Sequence, residues 1–117
     1  MMDVKLKIYF TDDTGTQFMG IGVFWLLQGI KKYGSIRKAA MDMGLSYAKA
    51  HGMINNLEEH LGIAVVERRR GGDSRSGAVV TPAGEKLISL YENYQNRVKA
   101  FAEEEFADFK SRLKGIS

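Results

Sequence analysis

The chain predicts an α+β domain, mainly α. Period-two alternation of apolar residues is confined to short stretches near residues 4–20 and 63–81. Apolar side chains recur at three- and four-residue spacing in four other stretches, the last about thirty residues long. Short strands flanking capped helices form a small sheet-edged helical unit, and the last stretch outgrows it.

At 117 residues the chain fits one domain, with room for an independent core. Hydrophobic content of 44% and charged content of 26% are those of an ordinary globular protein. The longest apolar run, from Ile21 to Leu27, stops at Gln28, so no membrane span is expected. Charges at Asp3, Lys5 and Lys7 interrupt any signal-peptide core, and a cytoplasmic location is expected. The chain has no Cys, which excludes disulfides and thiolate metal sites.

Val4 to Thr11 alternates, with Val4, Leu6, Ile8 and Phe10 apolar, and predicts a half-buried strand. Asp12-Asp13-Thr14-Gly15 supplies turn chemistry, and Thr16 to Gly20 returns as a second strand, making residues 1–20 a β-hairpin. Gly20 and Gly22 lack the third glycine of a dinucleotide loop, since position 25 is Trp25. Ile21 to Tyr33 predicts the first helix, with Val23, Leu26, Leu27 and Ile30 on its buried face. Phe24 and Trp25 lie off that face and need cover from another element or another subunit.

Gly34 ends this helix and Ser35 caps the next, roughly Ile36 to Met43, which packs through Ile36, Ala39, Ala40 and Met43. Gly44 reverses the chain and Leu45 plugs the turn. Ser46 caps the third helix, roughly Tyr47 to His60, whose buried stripe is Ala50, Met53, Ile54, Leu57 and Leu61. Residues 35–61 therefore read as a helix-turn-helix, whose second helix enters the major groove of DNA. Within 62–81, Ile63 to Arg70 and Ala78 to Thr81 read as two strands around a basic Gly-rich loop: a wing. That loop lacks the GK[ST] ending of a phosphate cradle.

Thr81 caps a last helix with Pro82 at its first position, running to about Leu113. Leu87, Tyr91, Tyr94, Val98, Ala102, Phe106, Phe109 and Leu113 are spaced by three or four residues and keep one stripe over about seven turns. A helix this long outreaches a small winged core. Homodimerisation through Tyr94, Val98, Phe101, Phe106 and Phe109, joined by Phe24 and Trp25, is the expectation; the alternative is that the end folds back. The predicted whole is a winged helix-turn-helix with an N-terminal β-hairpin and a long C-terminal dimerisation helix.

The charge is unevenly placed. Residues 31–82 carry nine basic against five acidic side chains, residues 1–30 carry a net −1, and residues 83–117 balance. Positive charge thus gathers on the segment that a nucleic-acid face would need.

The run GSIRKAAMDMGLSYAKAHGMINNLEEHLGIAVVERRRGG, with GAVVTPAGEKL after it, resembles the N-terminal winged helix-turn-helix of the ModE family of molybdate-responsive regulators. It is similar, more distantly, to the LysR-type DNA-binding domain. The resemblance covers roughly Phe24 to Tyr94. It implies that Ser46–Asn55 reads the major groove, that the wing reaches adjacent DNA, and that the last helix makes the dimer. Two departures affect the operator: Ala48 stands where family members often carry a basic residue, and His51 where they often carry Trp. Full-length members also bind molybdate in a C-terminal domain. With the chain ending at Ser117, that domain is expected to be lacking, leaving a standalone DNA-binding protein or one signalled by a separate effector or sensor subunit.

The expected function is a homodimeric, sequence-specific regulator of transcription whose partner is double-stranded DNA. Tyr47, Lys49, His51 and Asn55 are expected at bases or adjacent phosphates, Lys49 suiting guanine acceptors and Asn55 adenine. Ser46, Arg37 and Lys38 are expected at phosphates, and Arg69, Arg70 and Arg75 on flanking DNA. Strand alternation puts Arg69 on a different face from Arg68 and Arg70. A protein-interaction module built on the same scaffold is the alternative. No catalytic, metal or cofactor site is expected, because His51 and His60, the two histidines, stand nine apart on one helix without metal-ligand spacing.

Overall fold

The computed structural model describes residues 2–69 and 77–116. In chain order the elements are β1 (Phe10–Thr11), β2 (Gln17–Met19), α1 (Ile21–Tyr33), α2 (Ile36–Asp42), α3 (Tyr47–Leu61), β3 (Val66–Arg69), β4 (Gly77–Val80) and α4 (Pro82–Leu113). Two antiparallel hairpins, β1–β2 and β3–β4, flank a helical core.

Side-chain caps set the starts of α2, α3 and α4. Ser35 Oγ accepts from Lys38 N at 3.2 Å, Ser46 Oγ from Lys49 N at 3.1 Å, and Thr81 Oγ1 from Gly84 N at 3.0 Å. Each cap satisfies one backbone donor that an α-helix leaves orphaned at its start. Gly44 carries φ 70° in the turn between α2 and α3, a left-handed conformation that a side chain makes costly. Tight crossing of α1 and α2 rests on small residues: a Cβ at Gly29 would stand 3.0 Å from Ala39 Cβ.

The core is contributed by every helix. Leu26, Leu27 and Ile30 of α1, Ile36, Ala39 and Ala40 of α2, Ala50, Ile54 and Leu57 of α3, and Ile88 and Tyr91 of α4 are all buried, with Val65, Val66, Ala78 and Val80 from the wing. Leu61, expected to close the α3 stripe, is 36% exposed instead, because α3 ends there at the left-handed Gly62. Phe24, expected to need cover from another element or another subunit and to join the dimer interface, finds that cover in another element of its own chain. It is buried within the chain, its ring 5.6 Å from Tyr91, so α4 supplies the cover. Trp25, one position on, is 56% exposed.

The N-terminal strand is a second correction. Only Phe10 and Thr11 of the expected Val4–Thr11 strand enter a ladder, and β2 spans Gln17–Met19 rather than Thr16–Gly20. The alternation of Val4 to Tyr9 serves a helix instead of a strand. Val4 and Leu6 line a cleft with Lys99 and Ala102 of α4, and Tyr91 Oη donates to the Ile8 carbonyl at 2.9 Å. The Phe10 ring packs edge-on against Tyr91 and Tyr94, with centroids 5.7 and 5.4 Å away. A helix offers no free ladder groups, so this arm lies extended along α4 without becoming sheet.

In the wing, β3 is shorter than its expected bounds of Ile63–Arg70, while β4 has the expected four residues and starts one position before the expected Ala78–Thr81. Ala78 N donates to Gly34 O at 3.0 Å, and Ser35 bridges Gly77, so the entry to α2 is hydrogen-bonded onto β4. Wing and helix-turn-helix are thus joined through backbone. Thr81 adds a tie by donating its hydroxyl to the Ala64 carbonyl at 2.7 Å. Where α4 meets the wing, a Cβ at Gly84 would overlap the Val65 carbonyl oxygen and sit 2.7 Å from Val80 Cγ1.

Candidate nucleic-acid interface

The buried stripe of α3 fixes what its other side displays. With Ala50, Ile54 and Leu57 inside, Ala48, Lys49, Gly52 and Asn55 are exposed, and Tyr47 and His51 are half-buried. Arg37 and Lys38 are exposed in the first turn of α2. The Arg37 guanidinium lies 4.9 Å from the Tyr47 ring centroid, which joins the two helices across the turn. Ser46 keeps its hydroxyl hydrogen free to donate while its oxygen caps α3. One side of the motif therefore carries three cations, a hydroxyl, an imidazole and a carboxamide.

Packing does not require a glycine at Gly52. A Cβ there meets nothing within 4 Å, so the glycine leaves open a shallow cleft, which Gln17, Gly22, Lys49, Met53 and Asn56 line.

Three contacts that sequence reasoning missed hold α3 in place. Glu58 Oε2 accepts from Val65 N at 2.8 Å and Val66 N at 3.3 Å, tying the root of the wing to α3. Asn56 Nδ2 donates to Gln17 O at 3.0 Å, tying β2 to the same helix. His60 stacks on Phe18, centroids 4.8 Å apart and planes 7° apart; its Nδ1 donates to Asn56 O at 2.8 Å and its Nε2 to Asp12 Oδ2 at 2.9 Å. These partners stand 7, 39 and 48 residues apart, so no local motif announces them.

The Asp12 carboxylate is a hub. Its Oδ1 accepts from Thr14 N, Thr14 Oγ1 and Thr16 N within 3.0 Å. Those donors, Thr14 Oγ1 foremost and then His60, hold the Asp12 carboxyl far below the usual carboxylate range. The Asn56 carbonyl, followed by Asp12, pushes His60 up from its ordinary 6.5.

On the wing, Arg69 pairs with Gly77 and shares its face with Glu67 and Val79, while Arg68 pairs with Ala78 on the other face. Both arginines are exposed. Arg70 and Arg75, expected on flanking DNA, lie outside the described residues.

The residues expected at a dimer interface separate into groups. Tyr94, Val98 and Phe101 line an apolar groove along α4 with Phe10, Leu87 and Leu90. Phe106 and Phe109 stack on each other farther along, centroids 6.3 Å apart. Trp25 lines a different cleft, with Lys32, Tyr33, Asp42 and Met43. Among the described residues no helix is long and apolar enough to cross a membrane.

Residues 26–85 match the family described as "bacterial regulatory helix-turn-helix protein, lysR family". The chain is 44% identical over 73 residues to the molybdenum-pterin-binding protein MopB of Rhodobacter capsulatus, covering 62% of this chain and 27% of that one. It is 42% identical over 67 residues to the DNA-binding transcriptional dual regulator ModE of Escherichia coli, covering 57% and 26%. The chain thus spans about a quarter of the length of these relatives. The fold is similar to that in the CbnR_DBD–DNA complex, with TM-score 0.60, 19% identity and coverage of 76% of this chain and 97% of that one. It is also similar to that in the complex of BenM_DBD with catB site 1 DNA, with TM-score 0.55, 25% identity and coverage of 73% and 86%.

Proposed function

Because the chain belongs to the bacterial regulatory helix-turn-helix proteins of the LysR family, we propose that it is a sequence-specific DNA-binding regulator of transcription that acts as a homodimer. The observation that carries this reading is the clustering of Arg37, Lys38, Ser46, Tyr47, Lys49, His51 and Asn55 on one open side of α2 and α3. An α-helix fits the major groove, and these side chains are those that read base edges and phosphates there. Arg69, on a strand tied to α3 through Glu58, places charge on the flanking DNA.

Dimerisation is supported by α4. Beyond Tyr91 none of its described residues is buried, and Leu90, Tyr94 and Phe101 are 58%, 50% and 62% exposed along one groove. A second copy of the same helix covers that groove and pairs two reading helices across a two-fold axis, which favours inverted half-sites.

Selection of bound sequences from a random DNA pool tests the reading. It yields an inverted repeat, with affinity that falls steeply with salt as phosphate counterions are released, and Lys49→Ala weakens it. Binding of a protein partner with no enriched DNA sequence and no salt dependence would instead favour an interaction module, for which the apolar groove on α4 is the specific support.

A further inference from the structure

Tyr47, His51 and Asn55 follow one another at four-residue steps and form a single ridge on α3. The Asn55 Nδ2 and His51 Nδ1 atoms are 3.2 Å apart. On its other side the imidazole packs against the Tyr47 ring, centroids 5.8 Å apart, and Tyr47 lies under the Arg37 guanidinium at 4.9 Å. This continuous contact chain runs from α2 to the middle of α3.

We infer that His51 is a positioning residue that fixes which hydrogen-bonding edge Asn55 presents to a base. The inference rests on the DNA-binding reading and deepens it. A carboxamide nitrogen only donates, so in this contact His51 Nδ1 accepts and its ring proton is on Nε2. One Asn55 N–H is committed to His51. The remaining N–H and the carbonyl oxygen face outward as one donor and one acceptor, the pair that complements adenine N7 and N6. The terminal torsion of Asn is broad and roughly two-fold, so an untethered carboxamide swaps donor and acceptor at little cost. With the ring proton on Nε2, the Nδ1 lone pair removes that ambiguity, because the flipped amide would turn an oxygen toward an acceptor. Tyr47 and Arg37 keep the imidazole itself from rotating away. The same arrangement leaves His51 Nε2–H as a second fixed donor one helical turn from Asn55.

Two measurements decide this. In the first, bound sequences are selected from a random pool with wild type, Asn55→Ala, His51→Phe and His51→Asn. Asn55→Ala identifies the base pair that Asn55 reads. His51→Phe keeps a ring against Tyr47 but has no acceptor, and the preference at that base pair falls about ten-fold, within the range of one bidentate contact. His51→Asn sets a carbonyl oxygen near the former Nδ1 position and restores most of the preference. An unchanged preference in His51→Phe overturns the inference.

In the second, the 15N signals of the His51 ring are compared between wild type and Asn55→Ala without DNA. The Nδ1 signal, unprotonated, moves on loss of Asn55 while Nε2 stays. A protonated Nδ1, or one indifferent to Asn55, overturns the inference irrespective of DNA. A pool that enriches nothing, alongside a responsive Nδ1, overturns the DNA-binding reading and leaves the pairing supported.

Discussion

At the scale of single residues, Gly84 makes the sharpest demand. The Cβ of any other residue would overlap the Val65 carbonyl, which is backbone and cannot swing aside. Gly84→Ala is expected to lower stability by about 1–3 kcal/mol, the usual cost of overfilling a packed site, measured as a drop in the urea midpoint. The His60–Asp12 pair makes a second prediction. His60 titrates higher folded than unfolded, so its contribution is complete below the unfolded value near 6.5 and is lost as pH rises through the folded value. Asp12 titrates lower folded than unfolded, so its contribution is present above 3.8 and fades as the solution is acidified. Wild type is therefore expected to lose more stability between pH 6 and pH 9 than His60→Gln does, and equal losses would dissociate the pair from stability. Residues that act on their own neighbours were legible: Ser35, Ser46 and Thr81 each cap a helix three residues ahead. His60 and Asp12 were not, because 48 residues separate them and each by itself is an ordinary polar side chain.

At the scale of elements, the helices emerged near their expected bounds because apolar spacing and capping are local properties of a sequence. Strands β2 and β4 came within one residue of theirs, but β1 and β3 were cut short, since a ladder requires a partner that alternation alone cannot name. Val4 to Tyr9 alternates as a strand would, yet its partner is α4, whose hydroxyl at Tyr91 takes the Ile8 carbonyl. Phe24 was misassigned for a related reason: the helical wheel of α1 shows where a side chain points but not that α4 comes to meet it. The polar side of α3 was legible as the residues off the apolar stripe, whereas its tether to the wing through Glu58 was not. Glu58→Ala is expected to leave the amides of Val65 and Val66 without an acceptor, costing about 1–3 kcal/mol. Faster hydrogen exchange at those two amides, with α1 unaffected, is the signature that separates a loosened wing root from general destabilisation.

At the scale of the whole molecule, the described chain measures 67 × 30 × 23 Å, with a radius of gyration of 18.1 Å. A compact domain of this length would have a radius near 13 Å, so α4 accounts for the excess. At 1.5 Å per residue its 32 residues reach about 48 Å, well past the core that anchors its first three turns. Phe101→Glu, at a side chain that supports no core contact and is 62% exposed, is expected to yield a folded monomer by light scattering. On the homodimer proposed above, DNA affinity should fall with it, because two tethered half-site contacts become one.

A straight helix keeps angular register along its whole length. Each residue of α4 advances the phase by about 100°, so one residue inserted after Tyr91 would turn Tyr94, Val98 and Phe101 away from Phe10 by more than a quarter-circle. Seven inserted residues would return them to within about 20° of where they began. Tolerance of a seven-residue insertion and intolerance of a single one would show that α4 acts as a gear shaft, with its rotational setting, and not merely its length, fixing how the two reading heads of the proposed homodimer are aimed.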